Sequence, residues 1–321
     1  MVERFLPLWL LLLSVAALGW DRTGVFDPFL ATKGGVNWLI AGTMLAIGGM
    51  LPVEEIRQVR LRWPMVLAGT ALQYGSMPLL GFTMAHLFQL SPDAMVGVIM
   101  VGCVPGAMAS NALTLMARGN VSYSVSLTTL ATLLSPLVVP LVLKWTLGKT
   151  VEFDAVQAGL GLLWTVVIPV LAGYSLSRLW PAFERFVQRV GQMVANLAIL
   201  WIIAVVVALN REKMMQIQAP LLSALVMVNA LGYAAGWMGG YVFRLPEAMR
   251  RALTLEIGMQ NAGVGSMLAL QLFPDRPETS IPTALYAFGC MLSGTLLARF
   301  WSSRPLIASS NSQPEDTTGK I

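Results

Sequence analysis

The stretch A-L-T-L-E-I-G-M-Q-N-A-G-V-G-S-M-L-A-L, residues 252–270, decides how the rest of the chain is read. It is apolar enough for a membrane interior, yet it holds Glu256, Gln260 and Asn261 together with Gly258, Gly263 and Gly265. A charge at mid-membrane costs ~2.5–3.5 kcal/mol on insertion scales. Backbone that leaves the helix at that depth is tolerated only where it is buried in protein or lines a cavity. A segment that keeps both features is expected to use them.

The composition supports the membrane reading. Of 321 residues, 56% are hydrophobic and only 12% charged, and the mean hydropathy is +0.69. Soluble domains run nearer a quarter charged. Apolar runs recur near 5–20, 36–50, 64–90, 93–118, 121–147, 157–178, 187–209, 219–243, 247–273 and 281–301, the fourth and ninth interrupted. The expected fold class is therefore an all-α polytopic membrane protein with ten transmembrane helices. Segments of about ten alternating residues, which a membrane barrel needs, are absent. Residues 305–321 are polar and read as a disordered cytoplasmic tail.

The net charge of +5 invites a nucleic-acid partner, but its distribution excludes one. With the N-terminus inside, inner segments hold twice as many basic residues as outer ones, among them Arg4, Arg57, Arg60, Arg178, Arg185, Arg189, Arg250 and Arg251. The positive-inside rule then puts both termini in the cytoplasm. The first run, after M-V-E-R, could be a signal peptide. Retention gives an even number of spans and is the expectation; cleavage leaves the other nine oriented the same way. Cys103 and Cys290 lie within spans, where they read as small packing residues.

Ten spans divide five and five near residue 150, giving repeats 1–150 and 151–304. An odd number per half makes the second half enter the membrane inverted, a common transporter plan. One correspondence supports this division: the fourth span of each half is broken. The first break falls in V-G-V-I-M-V-G-C-V-P-G-A-M-A-S-N-A-L-T-L-M-A-R-G-N (96–120), where Pro105 lacks an amide hydrogen and disfavours helix at Val104.

Fifteen of the 16 acidic residues fall in loops, at span ends or in the tail, and Glu256 alone lies well inside a span. It reads either as a protonated residue bonded to a neighbouring helix or as a carboxylate neutralised by a cation. A cation needs more oxygens, and hard cations take all-oxygen cages. Gln260 lies four residues on, and a break frees the carbonyls of Ile257 and Met259. Ser110 and Asn111 follow the first break. Ser124, Thr128 and Thr132 form a stripe at i, i+4, i+8 on the fifth span, and Gln73 stands alone on the third. Back-bonding to i−4 carbonyls is the alternative for the stripe. His86, the one histidine, sits near a span end and reads as interfacial, and one histidine excludes paired-histidine metal motifs. The missing His, Cys and Asp constellations argue against an enzyme.

Residues 101–137 and the E-x-G-x-Q-N core within 252–263 closely resemble the bile acid:sodium symporter family, in its bacterial branch. The resemblance covers the chain except the tail. It implies two inverted five-helix repeats, with a core domain of helices 3–5 and 8–10 facing a panel domain of helices 1, 2, 6 and 7, and broken helices 4 and 9 crossing in the core. It implies two Na⁺ ions. One would be held by Ser110, Asn111, Ser124, Thr128 and Glu256, the other by Gln73, Glu256, Gln260 and the carbonyls of Ile257 and Met259. The substrate would lie between core and panel, with Asn261 as a polar contact. Here G-A-M-A-S-N stands where relatives often read G-G-T-A-S-N, so Met108 replaces a hydroxyl. Cys290-Met291 stands where some bacterial relatives have His-Asn. Those positions border the substrate cavity, which points from a bile acid toward a small carboxylate such as pantoate.

The function expected is sodium-coupled symport of an organic anion by alternating access, in the inner (plasma) membrane, with lipid as its surroundings. Proton coupling through Glu256 and a sensor that binds without transporting remain the alternatives.

Overall fold

A computed structural model describes residues 6–52, 62–148 and 153–304. The expected tail and Arg4, Arg57 and Arg60 lie outside the described residues. Among the described residues all regular structure is helical, apart from one isolated antiparallel bridge between Gly106 and Gln260. The main helices are α1 (Leu6–Gly19), α2 (Val36–Met50), α3 (Trp63–Leu87), α4 (Pro92–Cys103), α5 (Ala109–Met116), α6 (Val121–Leu147), α7 (Ala155–Leu179), α8 (Pro181–Leu209), α9 (Ala219–Val242), α10 (Glu247–Gly258), α11 (Ala262–Leu272) and α12 (Ile281–Ser302). Helix occupies every one of the ten apolar runs, and the two interrupted runs become the pairs α4/α5 and α10/α11. Among the described residues, five helices are long and apolar enough to cross a membrane: α6, α7, α8, α9 and Pro277–Ser302, which contains α12.

Two helices depart from the expected runs for identifiable reasons. α8 begins at Pro181 rather than near 187, because its first turns carry Glu184 and Arg185 and are invisible to a search for apolar residues. α7 contains a π-helical turn over Leu163–Val167, with the Ile168 amide bonded to the Leu163 carbonyl. Pro169 follows at once and cannot donate the next helical bond, and a π-turn is one way to absorb that loss.

Helix contacts sort unevenly. α2 packs on α7 and α8, and α1 on α8. α3 packs on α4, α6 and α9, and α9 on α10. The α2–α7 contact is close enough that a Cβ on Gly48 would overlap the Val170 backbone, and one on Gly173 the Leu45 carbonyl. Small residues that let backbones meet are how helices associate without a hydrophobic drive in lipid.

α3 and α9 end alike. Gln89 and Arg244 are left-handed, at φ 50° and 53°, and the Leu90 and Leu245 amides reach back to the Ala85 and Gly240 carbonyls at 3.1 and 2.9 Å. These are the six-to-one bonds of a Schellman cap. The sequences are F-Q-L-S-P (88–92) and F-R-L-P (243–246), each leading into a broken pair.

Arg251, 1% exposed, joins three helices. Its guanidinium takes Glu247 Oε1 at 2.5 and 3.0 Å, and donates to the Ala117 carbonyl past the end of α5 (2.8 Å) and to the Trp301 carbonyl in α12 (3.2 Å). Helix C-termini favour such a cation.

Candidate functional site

The two breaks meet and satisfy one another's backbone. α4 stops at Cys103, before Pro105, and α5 starts at Ala109. α10 stops at Gly258, and α11 starts at Ala262. Between them the Ala107 amide donates to the Met259 carbonyl at 2.8 Å, and the Asn261 amide to the Pro105 carbonyl at 2.9 Å. That exchange makes non-helical backbone possible in a dry interior.

Side chains seal the free ends. The Gly258 carbonyl, at the end of α10, accepts from Asn229 Nδ2 and from the Tyr286 hydroxyl, both at 2.8 Å. Ser293 donates in turn to Asn229 Oδ1 at 2.7 Å. Gly258 is required here, since a Cβ would enter the Tyr233 ring. Asn261 caps α11, its Oδ1 accepting the Val264 amide at 3.2 Å.

Glu256 sits in the last turn of α10 before its break, fully buried. Its Oε1 accepts from Thr128 Oγ1 at 2.7 Å and its Oε2 from Ser110 Oγ at 2.6 Å, with Ser124 Oγ at 3.5 Å from Oε2. Thr114 Oγ1 stands behind Ser124 Oγ at 3.3 Å. Thr128 Oγ1 also lies 3.1 Å from the Ser124 carbonyl, so its one hydroxyl hydrogen has two acceptors in reach, the carboxylate the nearer. Gly106 makes room, because a Cβ there would overlap the carboxylate.

Of the residues read from the sequence, Ser110, Ser124 and Thr128 are thus gathered on Glu256. The Asn111 Nδ2 faces Met108 Sδ at 3.9 Å, while its Oδ1 is buried without a partner. Gln260 gives its Nε2 to the Ile257 carbonyl at 2.7 Å and leaves its Oε1 buried and unpartnered. Gln73 is buried with neither amide atom bonded, and makes no hydrogen bond to Glu256 or Gln260. Thr132 makes none to Glu256 either. Buried polar atoms are nearly always paired, so the orphaned oxygens of Asn111, Gln260 and Gln73 stand out among the buried side chains.

Met108, Asn261, Cys290 and Met291 line one cavity of about 30 Å³. Its other walls come from Ile40, Thr43, Met44 and Ile47 of α2 and Gln192, Asn196 and Ile199 of α8. Cys103 and Cys290 are buried free thiols, and His86 is exposed at the end of α3.

Sequence reasoning missed Thr114, Asn229, Tyr286 and Arg251. Thr114 lies four residues after Ser110, the spacing that found Thr128. Asn229 is a lone carboxamide in L-V-M-V-N-A-L-G, open to the same search that singled out Gln73.

The family model described as "Sodium Bile acid symporter family" matches residues 38–217. The "Uncharacterized sodium-dependent transporter YocS" of Bacillus subtilis (strain 168) is 31% identical over 262 residues, 81% of each chain. The "Probable sodium/metabolite cotransporter BASS1, chloroplastic" of Arabidopsis thaliana is 31% identical over 94% of this chain and 74% of its own. The "Ileal sodium/bile acid cotransporter" of Homo sapiens is 28% identical over 72% of this chain and 67% of its own. The class that these relatives and the apolar helices define is the sodium-dependent transporters, multi-pass membrane proteins and not enzymes. Within that class the chain belongs to the sodium bile acid symporter family.

Proposed function

We propose that the protein is a symporter that couples two Na⁺ ions to one small organic anion. The observation that carries this is Glu256, a fully buried carboxylate beside two helix breaks that meet, held by the hydroxyls of Ser110 and Thr128. One ion takes Ser110, Asn111, Ser124, Thr128 and Glu256. The other takes Gln73, Glu256, Gln260 and the Ile257 and Met259 carbonyls, with Gln260 Nε2 turning away from Ile257 as the ion arrives. Glu256 supplies −1, two ions +2 and the anion −1, so the loaded site is neutral and free of the cost of a buried net charge.

Ten transmembrane spans in two inverted repeats, with α4/α5 and α10/α11 as the broken fourth members, complete the reading. The matching caps of α3 and α9 support the repeat. The packing of α1 and α2 with α7 and α8, apart from α3, α4, α9 and α10, supports a panel and a core. A site of about 30 Å³ holds water rather than a metabolite, for which pockets run to hundreds of Å³. The anion therefore enters when core and panel part, which is alternating access. The basic-residue bias supports the inner membrane with both termini cytoplasmic.

Purified protein titrated with NaCl at fixed ionic strength tests this. Thermal stability should rise with a Hill slope above one, and KCl should do little. Equal stabilisation by the two salts sinks the sodium assignment. Uptake that follows pH and ignores sodium moves coupling to protonation of Glu256.

A further inference from the structure

α8 carries a stripe on its outward side. Arg185, Arg189, Met193, Leu197 and Trp201 follow one another at steps of four, so they share one slowly drifting face. The first four are exposed and Trp201 is half-buried, while Val187, Gly191, Ala195, Ala198 and Ile202 are buried on the other side. Two cations thus lead into three apolar side chains. Neither arginine has a partner among the described residues. The neighbouring carboxylate, Glu184, stands 3.3 Å from Arg178 and is offset by it. Gln188, between the two arginines in sequence, donates to the Met50 carbonyl at 3.3 Å.

The apolar end of the stripe enters a groove of about 620 Å³, walled by Trp9, Leu12 and Ala16 of α1 and by Leu197, Leu200 and Trp201 of α8. No charged residue lines it. The cationic end lies where α8 leaves the apolar layer, and Trp180, exposed just before the helix, is the kind of side chain that marks a membrane–water boundary. From Arg189 to Trp201 the helix rises about 18 Å. One leaflet of hydrocarbon is about 15 Å deep, half of a ~30 Å core. A lipid with its headgroup at the arginines therefore has its acyl chain at the groove.

We propose that this face binds an anionic phospholipid, with its phosphate on Arg185 and Arg189 and one acyl chain in the groove between α1 and α8. Guanidinium groups take phosphate oxygens through paired hydrogen bonds, and the apolar groove offers a polar occupant nothing. A zwitterionic lipid has the same chains but no net charge for the two cations to balance. Another side of α8 gives Gln192, Asn196 and Ile199 to the cavity, so the lipid grips a helix that walls the site. Such binding needs only a chain that spans a membrane, and is independent of sodium.

Native mass spectrometry of the full chain in detergent, titrated with dioleoylphosphatidylglycerol or dioleoylphosphatidylcholine, tests this. Phosphatidylglycerol should bind about thirtyfold more tightly, the effect of two basic residues at a charged lipid. Arg185→Gln combined with Arg189→Gln should bring the two lipids level. Arg299→Gln, at an exposed arginine near the end of α12, should leave the preference intact. Ala16→Trp fills the groove without touching a charge and should weaken both lipids. Equal binding of the two lipids by the unsubstituted protein, or a preference that survives loss of both arginines, overturns the proposal. Glycerol 3-phosphate competing as well as the whole lipid makes the ligand a soluble phosphate and also overturns it. A dimer that Ala16→Trp dissociates gives the groove to a second copy of the chain, with the same consequence.

Discussion

At the residue scale the site is a contest for one carboxylate. Glu256 is held by Ser110 and Thr128 at 2.6 and 2.7 Å, bonds short enough to hold a buried charge in place. On the proposed reading, a cation arriving there would exchange hydroxyl hydrogens for hydroxyl oxygens, so that the same side chains would guard the site and ligate the ion. Thr128→Val keeps the volume and removes the oxygen. Sodium affinity should fall about tenfold, the effect of ~1.4 kcal/mol, with folding retained. Thr129→Val, on a neighbouring face of α6, should change it much less. Sodium-dependent thermal shifts on both variants check this, and equal effects mean that Thr128 acts only through the Ser124 carbonyl. Glu256 and its ligands were legible in the sequence because polar groups in an apolar run are costly and therefore conspicuous. Gln73 was legible as an isolated amide, but not its distance from the others, because nothing local relates α3 to the crossing.

At the element scale the crossing depends on how four helix ends are finished. Pro105 and the Gly258 region marked the breaks in the sequence, since both stop a helix for local reasons. The partners that seal them, Asn229, Tyr286 and Ser293, come from α9 and α12 and were legible only as polar residues without an address. The π-turn of α7 and the charged start of α8 escaped notice because hydropathy reports burial, not backbone. Arg251 shows the same limit. Its neighbour Arg250 faces the Tyr241 ring at 4.0 Å, while Arg251 is buried against Glu247 and two helix-end carbonyls, a difference that needs the third dimension. Arg251→Ala leaves Glu247 and those carbonyls without it, and should cost about 3–5 kcal/mol of stability. Sodium dependence should persist in whatever fraction stays folded. Detergent-solubilised thermal unfolding with and without sodium measures both quantities.

At the scale of the whole molecule, charge balance fixes what a membrane potential does. On the proposed stoichiometry, two Na⁺ with a monoanion would carry one net positive charge inward per cycle. An inside-negative potential of 100 mV then adds ~2.3 kcal/mol to uptake. In proteoliposomes loaded with potassium, valinomycin should accelerate sodium-driven uptake, and collapsing the potential should slow it. Uptake indifferent to potential means one sodium ion rather than two. The paired breaks were visible in the sequence, and they stand as α4/α5 and α10/α11. The cavity was visible only as the positions Met108, Asn261, Cys290 and Met291, since its other wall comes from α2 and α8, far away in the chain. The whole reading converges on Glu256, and the most direct measurement is a sodium titration of thermal stability in the unsubstituted protein and in Glu256→Gln. The substitution keeps shape and a carbonyl oxygen and removes the charge. The reading predicts that the sodium-free variant is as stable as its parent or more so, and that sodium no longer stabilises it. A variant that responds to sodium like its parent would contradict it, leaving Glu256 a neutral packing residue.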